Sequence, residues 1–142
     1  MIMSRPFVAI FCFSALFLNA QTTLTVDVAG DNNVNAGSNS PGGTFSNNAG
    51  DLRGVLNHIN INPGNYIVQF APNVLPTINL NAMLPLLNLN AANTILINGE
   101  GGTINGGGTY PGFFARQGNI TLQNLTFSAC AAIEGAMRQA AR

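Results

Sequence analysis

The chain contains no lysine and no tryptophan, a single histidine, and charged residues at only 7% of its 142 positions. Typical soluble domains carry about 25% charged residues, so solubility here has to come from amides, hydroxyls and exposed backbone. Five basic side chains balance five acidic ones, and nothing in that balance draws the protein toward nucleic acid or an anionic membrane surface. The missing lysine also excludes a Walker-type phosphate loop, where that side chain reaches the β- and γ-phosphates. Cysteine is scarce. Cys12 lies in an apolar leader, which leaves Cys130 alone, so no intramolecular disulfide can staple the mature fold. Long apolar runs are missing as well, with one exception at the N-terminus.

That exception covers residues 7–18, broken only by Ser14 and preceded by Arg5. A membrane span needs about 20 apolar residues. A positive start, a shorter apolar stretch and a small residue at its end describe a secretory signal peptide instead. Leu18-Asn19-Ala20 supplies the small residue, so residues 1–20 are expected to be removed and Gln21 to begin the mature chain. Cys12 lacks the preceding small residues of a lipoprotein cleavage site. The mature chain contains no further apolar stretch of transmembrane length.

What remains is a series of short alternating runs cut by Gly and Asn. Residues 22–28 alternate with period two and read as a first strand. Residues 30–50 read as a long loop with a turn around Ser40-Pro41-Gly42-Gly43. Residues 51–60 predict the only helix of the domain. Asp51 can cap it, Leu52, Val55, Leu56 and Ile59 fall at i, i+3, i+4 and i+7, and Asn62-Pro63-Gly64 stops it. One apolar stripe on one short helix suits a lid over the open end of a core.

Strands are expected over 66–70, 77–80, 94–97, 103–105, 113–115, 120–122 and 125–127, with 84–89 either a short strand or a packed turn because of Pro85. No helical crossover joins these runs, which is the pattern of a β-solenoid. The strips Ile95-Leu96-Ile97 and Ile120-Thr121-Leu122 lie 25 positions apart, while Ile78-Asn79-Leu80 precedes the first by only 17. The turns must therefore vary in length. Asn98 and Asn105 sit beside glycine-rich turns, where Asn tolerates the left-handed region and stacked amides can form ladders between coils.

In order, these segments resemble bacterial right-handed parallel β-helix surface proteins. Gly50-Asp51-Leu52-Arg53-Gly54-Val55-Leu56 is similar to the "G-S-L-R-x-A-[IL]" helix that opens many of them, and Tyr66-Ile67-Val68-Gln69-Phe70 to their "D-T-I-x-F" strand. Thr77-Ile78-Asn79-Leu80 with Leu84-Pro85-Leu86 resembles "T-I-x-L…L-P-x-L". The remaining runs through Asn119-Ile120-Thr121-Leu122-Gln123-Asn124-Leu125-Thr126-Phe127 resemble "T-I-x-G-x-G…T-I-x-G…F-x-V…V-T-L-x-N-L-T-F". The resemblance is to the N-terminal part of autotransporter passengers and polymorphic outer-membrane proteins. It implies an all-β, right-handed parallel β-helix of a few coils under a capping helix. It further implies export to the surface or outer membrane of a Gram-negative bacterium. An adhesin-like role toward host-cell or glycan surfaces follows from it, with further coils in a full-length form, and no catalytic motif comes with it.

Residues 128–142 depart from that pattern. Twenty Asn occur between Gln21 and Phe127 and none afterwards, where the chain turns Ala-rich. The expected organisation is thus a signal peptide (1–20), a β-helix module (21–127) and an atypical tail (128–142) that reads as a truncation or frameshift product. A capping helix is the alternative for the tail, with Ile133 and Met137 on one face.

Catalytic chemistry finds little support. Glycosidases need two carboxylates roughly 5–10 Å apart, and after Asp51 the only acids are Glu100 and Glu134. Asp27, Asp31 and Asp51 could approach one another beside the lid, but they come from a strand, a loop and a cap. A Ca²⁺ site needs 6 to 8 oxygen ligands. His58 falls off the apolar stripe and reads as a solvated surface residue, Arg53 as the partner of a nearby acid, and Arg116 as a turn residue. The sequence therefore assigns no catalytic, cofactor-binding or metal-ligating residue and no cofactor. It points to a non-enzymatic exported module. A carbohydrate-binding or carbohydrate-cleaving β-helix is one alternative, with Asp51 and Glu100 as the acids to test. A degraded reading frame is the other.

Overall fold

The structure, a computed structural model, describes residues 21–31, 45–72 and 77–132. The expected signal peptide, the turn at 40–43 and residues 133–142 of the tail lie outside the described residues.

Strands β1 (Thr22–Val28), β2 (Phe45–Ser46) and β3 (Ala49–Asp51) lead into the helix α1 (Leu52–Ile61). Six strands follow it: β4 (Tyr66–Phe70), β5 (Thr77–Asn79), β6 (Leu87–Asn88), β7 (Thr94–Asn105), β8 (Ala115–Gln117) and β9 (Asn119–Ser128). Every pairing except the β2–β3 hairpin is parallel. The result is a β-solenoid of about three turns. One face stacks β3, β1, β4 and the first halves of β7 and β9. A second stacks β5 on the later halves of β7 and β9. A third carries β6 and β8.

The register stacks like on like. Leu24, Val68, Ile97 and Leu122 form one inward column on the first face, and Ile78, Ile104 and Phe127 form one on the second. Side chains two apart on a strand share a face, so alternation delivers an apolar residue to the interior at each rung. Leu24, Val26, Val68, Ile78, Ile95, Ile97 and Ile104 are all buried there. Each such side chain contributes about 1.5–3 kcal/mol by leaving water.

Two expectations about the strands change. The runs expected at 94–97 and 103–105 are one bent strand, β7, which turns the corner at Glu100 (φ 49°) and Gly101 (φ 87°). β9 turns the same corner on a single residue, Asn124 (φ 51°). Gly99 is required at that corner, because a Cβ there would lie 2.5 Å from Leu125 Cδ1 and 2.7 Å from the Asn124 carbonyl. The third-face strand covers Ala115–Gln117 rather than 113–115, because its register with β6 pairs Ala115 with Leu87 and Gln117 with Asn88.

The helix closes the N-terminal end as expected. Asp51 is extended (φ −75°, ψ 161°) and its carboxylate accepts the Gly54 N–H at 2.7 Å, so α1 starts one residue later, at Leu52. Leu52, Val55, Leu56 and Ile59 are buried, and the helix packs against β1, β2, β3 and β6. It thereby covers the starts of the first and third faces. The hairpin β2–β3 adds a rung outside β1, turning on Asn47 (φ 51°) and Asn48 (φ 61°). Two positive φ values in a two-residue loop are the type I′ arrangement that matches strand twist. Among the described residues no helix is long and apolar enough to cross a membrane.

Candidate functional site

Three charged side chains, Asp31, Asp51 and Arg53, are buried at the cap. Arg53, on α1, is buried, and so is Asp31, which follows β1. Arg53 Nε donates to Asp31 Oδ1 at 2.5 Å and Nη2 to Oδ2 at 2.9 Å, a bidentate pair. The rest of the guanidinium is used as well. Nη1 donates to the Met83 carbonyl at 2.8 Å and Nη2 to that of Ala82 at 2.9 Å. Asp31 also accepts the Asn81 N–H at 2.7 Å, and its carbonyl accepts from Asn81 Nδ2 at 2.7 Å. Burying two charges is costly unless geometry and further hydrogen bonds compensate; here each remaining group meets a backbone or amide partner. The network ties the chain leaving β1, the helix and the turn after β5 into one unit.

That geometry settles where the candidate acids lie. Asp27 is exposed on β1, Asp31 is paired with Arg53, and Asp51 is buried at the helix cap. Among the described residues no group of three or more His, Cys, Asp or Glu side chains is placed to hold a metal ion. Asp51, named with Glu100 as a possible acid for sugar cleavage, is buried, and its carboxylate accepts a helix N–H. Glu100 sits at the exposed β7 corner, where its Oε1 accepts from Asn98 Nδ2 at 2.5 Å.

His58 corrects the sequence reading. It is half-buried, stacked on Phe45 at 4.4 Å between centroids and edge-on to Tyr66 at 6.1 Å. The hairpin strand β2 brings Phe45 over the helix, which no helical periodicity reveals. Arg116 is exposed on β8.

Asparagine has two uses. Asn105 Nδ2 donates to Asn79 Oδ1 at 2.9 Å and Asn124 Nδ2 to Asn98 Oδ1 at 3.0 Å, so amides do stack between successive coils. Asn65 Oδ1 accepts the Thr94 N–H at 2.9 Å and splices one coil to the next. Beside the cap, Asn57, Asn60 and Asn88 line an open groove of about 350 Å³ together with Ile61 and Leu86. Asn60 Nδ2 donates to the Leu86 carbonyl at 3.0 Å, and Ile61 is 63% exposed. The groove is uncharged. It can offer amide hydrogen bonds and one apolar platform, and it holds no acid or base.

No protein-family model, curated protein or solved structure matches the chain.

Proposed function

We propose that the chain is an exported, non-enzymatic β-helix module of an adhesin-like or structural surface protein. Its coil is right-handed, as crossovers between parallel strands are in nearly all cases. The observation that carries this reading is the employment of the polar groups. Arg53 and Asp31 hold the cap to the coils, Asp51 starts the helix, and Asn65, Asn79, Asn98, Asn105 and Asn124 bond one coil to another. Polar chemistry spent on architecture is what a display scaffold requires. The N-terminal run of residues 1–20 supports export. In a Gram-negative host, N-terminal sequencing of the exported chain is expected to begin at Gln21, and protease shaving of whole cells to remove it. Retention of the unprocessed chain in the cytoplasm overturns the proposal.

A second reading, carbohydrate binding, is favoured by the groove of Asn57, Asn60, Ile61, Leu86 and Asn88. Amides and an apolar surface without charge suit a neutral, hydroxyl-rich ligand. Glycan-array binding that disappears in Asn88→Ala supports that reading, and an unaltered or empty array removes it.

A further inference from the structure

The last rung has an unusual symmetry. β9 reads Ile120-Thr121-Leu122-Gln123 and then Asn124-Leu125-Thr126-Phe127, the same residue types in reverse order. Its fold has the same symmetry. Ile120 and Leu122 stand in register with Ile95 and Ile97, and Leu125 and Phe127 with Gly102 and Ile104, so the four apolar residues share the inner side, two on each side of the corner. The backbone follows suit. Asn119 N–H donates to the Asn93 carbonyl and the Ser128 carbonyl accepts from Gly106 N–H, both at 3.0 Å. Backbone groups of alternate residues point to opposite neighbours, so Ile120, Leu122, Leu125 and Phe127 turn their N–H and C=O groups toward the open edge.

We propose that β9 is a self-pairing edge, through which two copies of the chain join antiparallel about a two-fold axis passing between Gln123 and Asn124. In that register Leu122 lies opposite the second copy's Leu125 and Ile120 opposite its Phe127. These are the residues with open backbone groups, and each such pair exchanges two hydrogen bonds. Thr121 lies opposite Thr126 and Gln123 opposite Asn124, a favourable cross-strand set. The exposed Leu122 then closes over the second copy's Leu125 and the exposed Phe127 over its Ile120, and two cores become continuous.

Two observations select a second copy as the occupant. β9 carries no charged residue and no proline, so it lacks the usual protections of an edge strand, and a two-fold brings no like charges together. The opposite end is covered by α1 and the β2–β3 hairpin, which bars head-to-tail stacking and leaves a closed two-fold contact. The inference does not depend on export or surface display.

Sedimentation velocity of the purified chain over a range of concentrations is expected to show a dimer. Leu122→Lys buries an ammonium at the centre of the contact and is expected to weaken association on the order of a hundredfold with the far-UV spectrum kept. The register is tested by cross-linking in a Cys12→Ser, Cys130→Ser background. Chains with Thr121→Cys mixed with chains carrying Thr126→Cys are expected to form an interchain disulfide, and neither variant alone to do so, since only that pair comes within disulfide reach. A monomer at every concentration, an open-ended series of oligomers, or Thr121→Cys cross-linking to itself each overturns the proposal. The wild-type measurement stands even where a variant fails to fold.

Discussion

The two ends of the solenoid are built from the same columns and finish differently. At the N-terminal end the first-face column starts at Leu24, fully buried with α1 and the β2–β3 hairpin around it; at the other end it finishes at Leu122, 36% exposed. On the second face, Ile78 and Ile104 are buried while Phe127 is 41% exposed. Residue type does not separate these positions. What separates them is whether a described element lies on the next rung, and at the closed end a whole polar network is devoted to keeping the cover in place. Burial in a solenoid is a property of the stack, because each coil contacts only its neighbours.

The largest loss is expected at the cap. Arg53→Ala leaves the Asp31 carboxylate buried without its counter-ion, and is expected to cost about 3–5 kcal/mol in urea unfolding. Pairing Arg53→Met with Asp31→Leu is expected to cost less than Arg53→Ala alone, because the stranded charge is gone. Next in size is a matched pair within one column. Ile97→Ala opens a cavity in a closed rung, at about 2–5 kcal/mol, and Leu122→Ala on the last rung is expected to cost under half of that. Equal losses would mean that the last rung is as well covered as the one before it. Smaller again is the helix start. Asp51→Ala removes the acceptor for Gly54 N–H and is expected to cost about 1 kcal/mol, with Asp51→Ser restoring most of it.

The sequence made these columns only partly legible. Ile95 with Ile120 and Ile97 with Leu122 could be matched because the intervening coil repeats its length, and the structure pairs them at that spacing. Ile78 could not be placed. It precedes Ile95 by 17 residues but pairs with Ile104, on another face of the coil. Alternation marks a strand as half-buried without saying which face it joins, and the first two faces carry the same pattern. The β2–β3 hairpin escaped notice because strands of two and three residues show no period, although Asn47-Asn48 suits a turn with two positive φ values. That omission also hid the cover over His58. The Asp31–Arg53 pair spans 22 residues and has no local signature. Its only trace in the sequence is an arginine that is the one charged residue of the lid helix and needs an acid nearby.

The finest test of the two ends lies in the asparagine ladders. Asn79–Asn105 joins two rungs with β9 still beyond them, whereas Asn98–Asn124 reaches the last rung itself. Both are exposed amide bonds of nearly equal length, 2.9 and 3.0 Å, so their intrinsic strengths are alike. Double-mutant cycles with alanine at each pair are expected to give coupling of about 0.5–1 kcal/mol for the inner ladder. At a free edge the outer value should be a few tenths lower, because a rung that opens locally shares its bond with the frayed state. Asn124→Gly is the better single variant there, since it keeps the positive φ easy while removing the amide. A lower outer coupling that rises to the inner value with protein concentration would tie the stiffness of the last rung to a second copy lying on it.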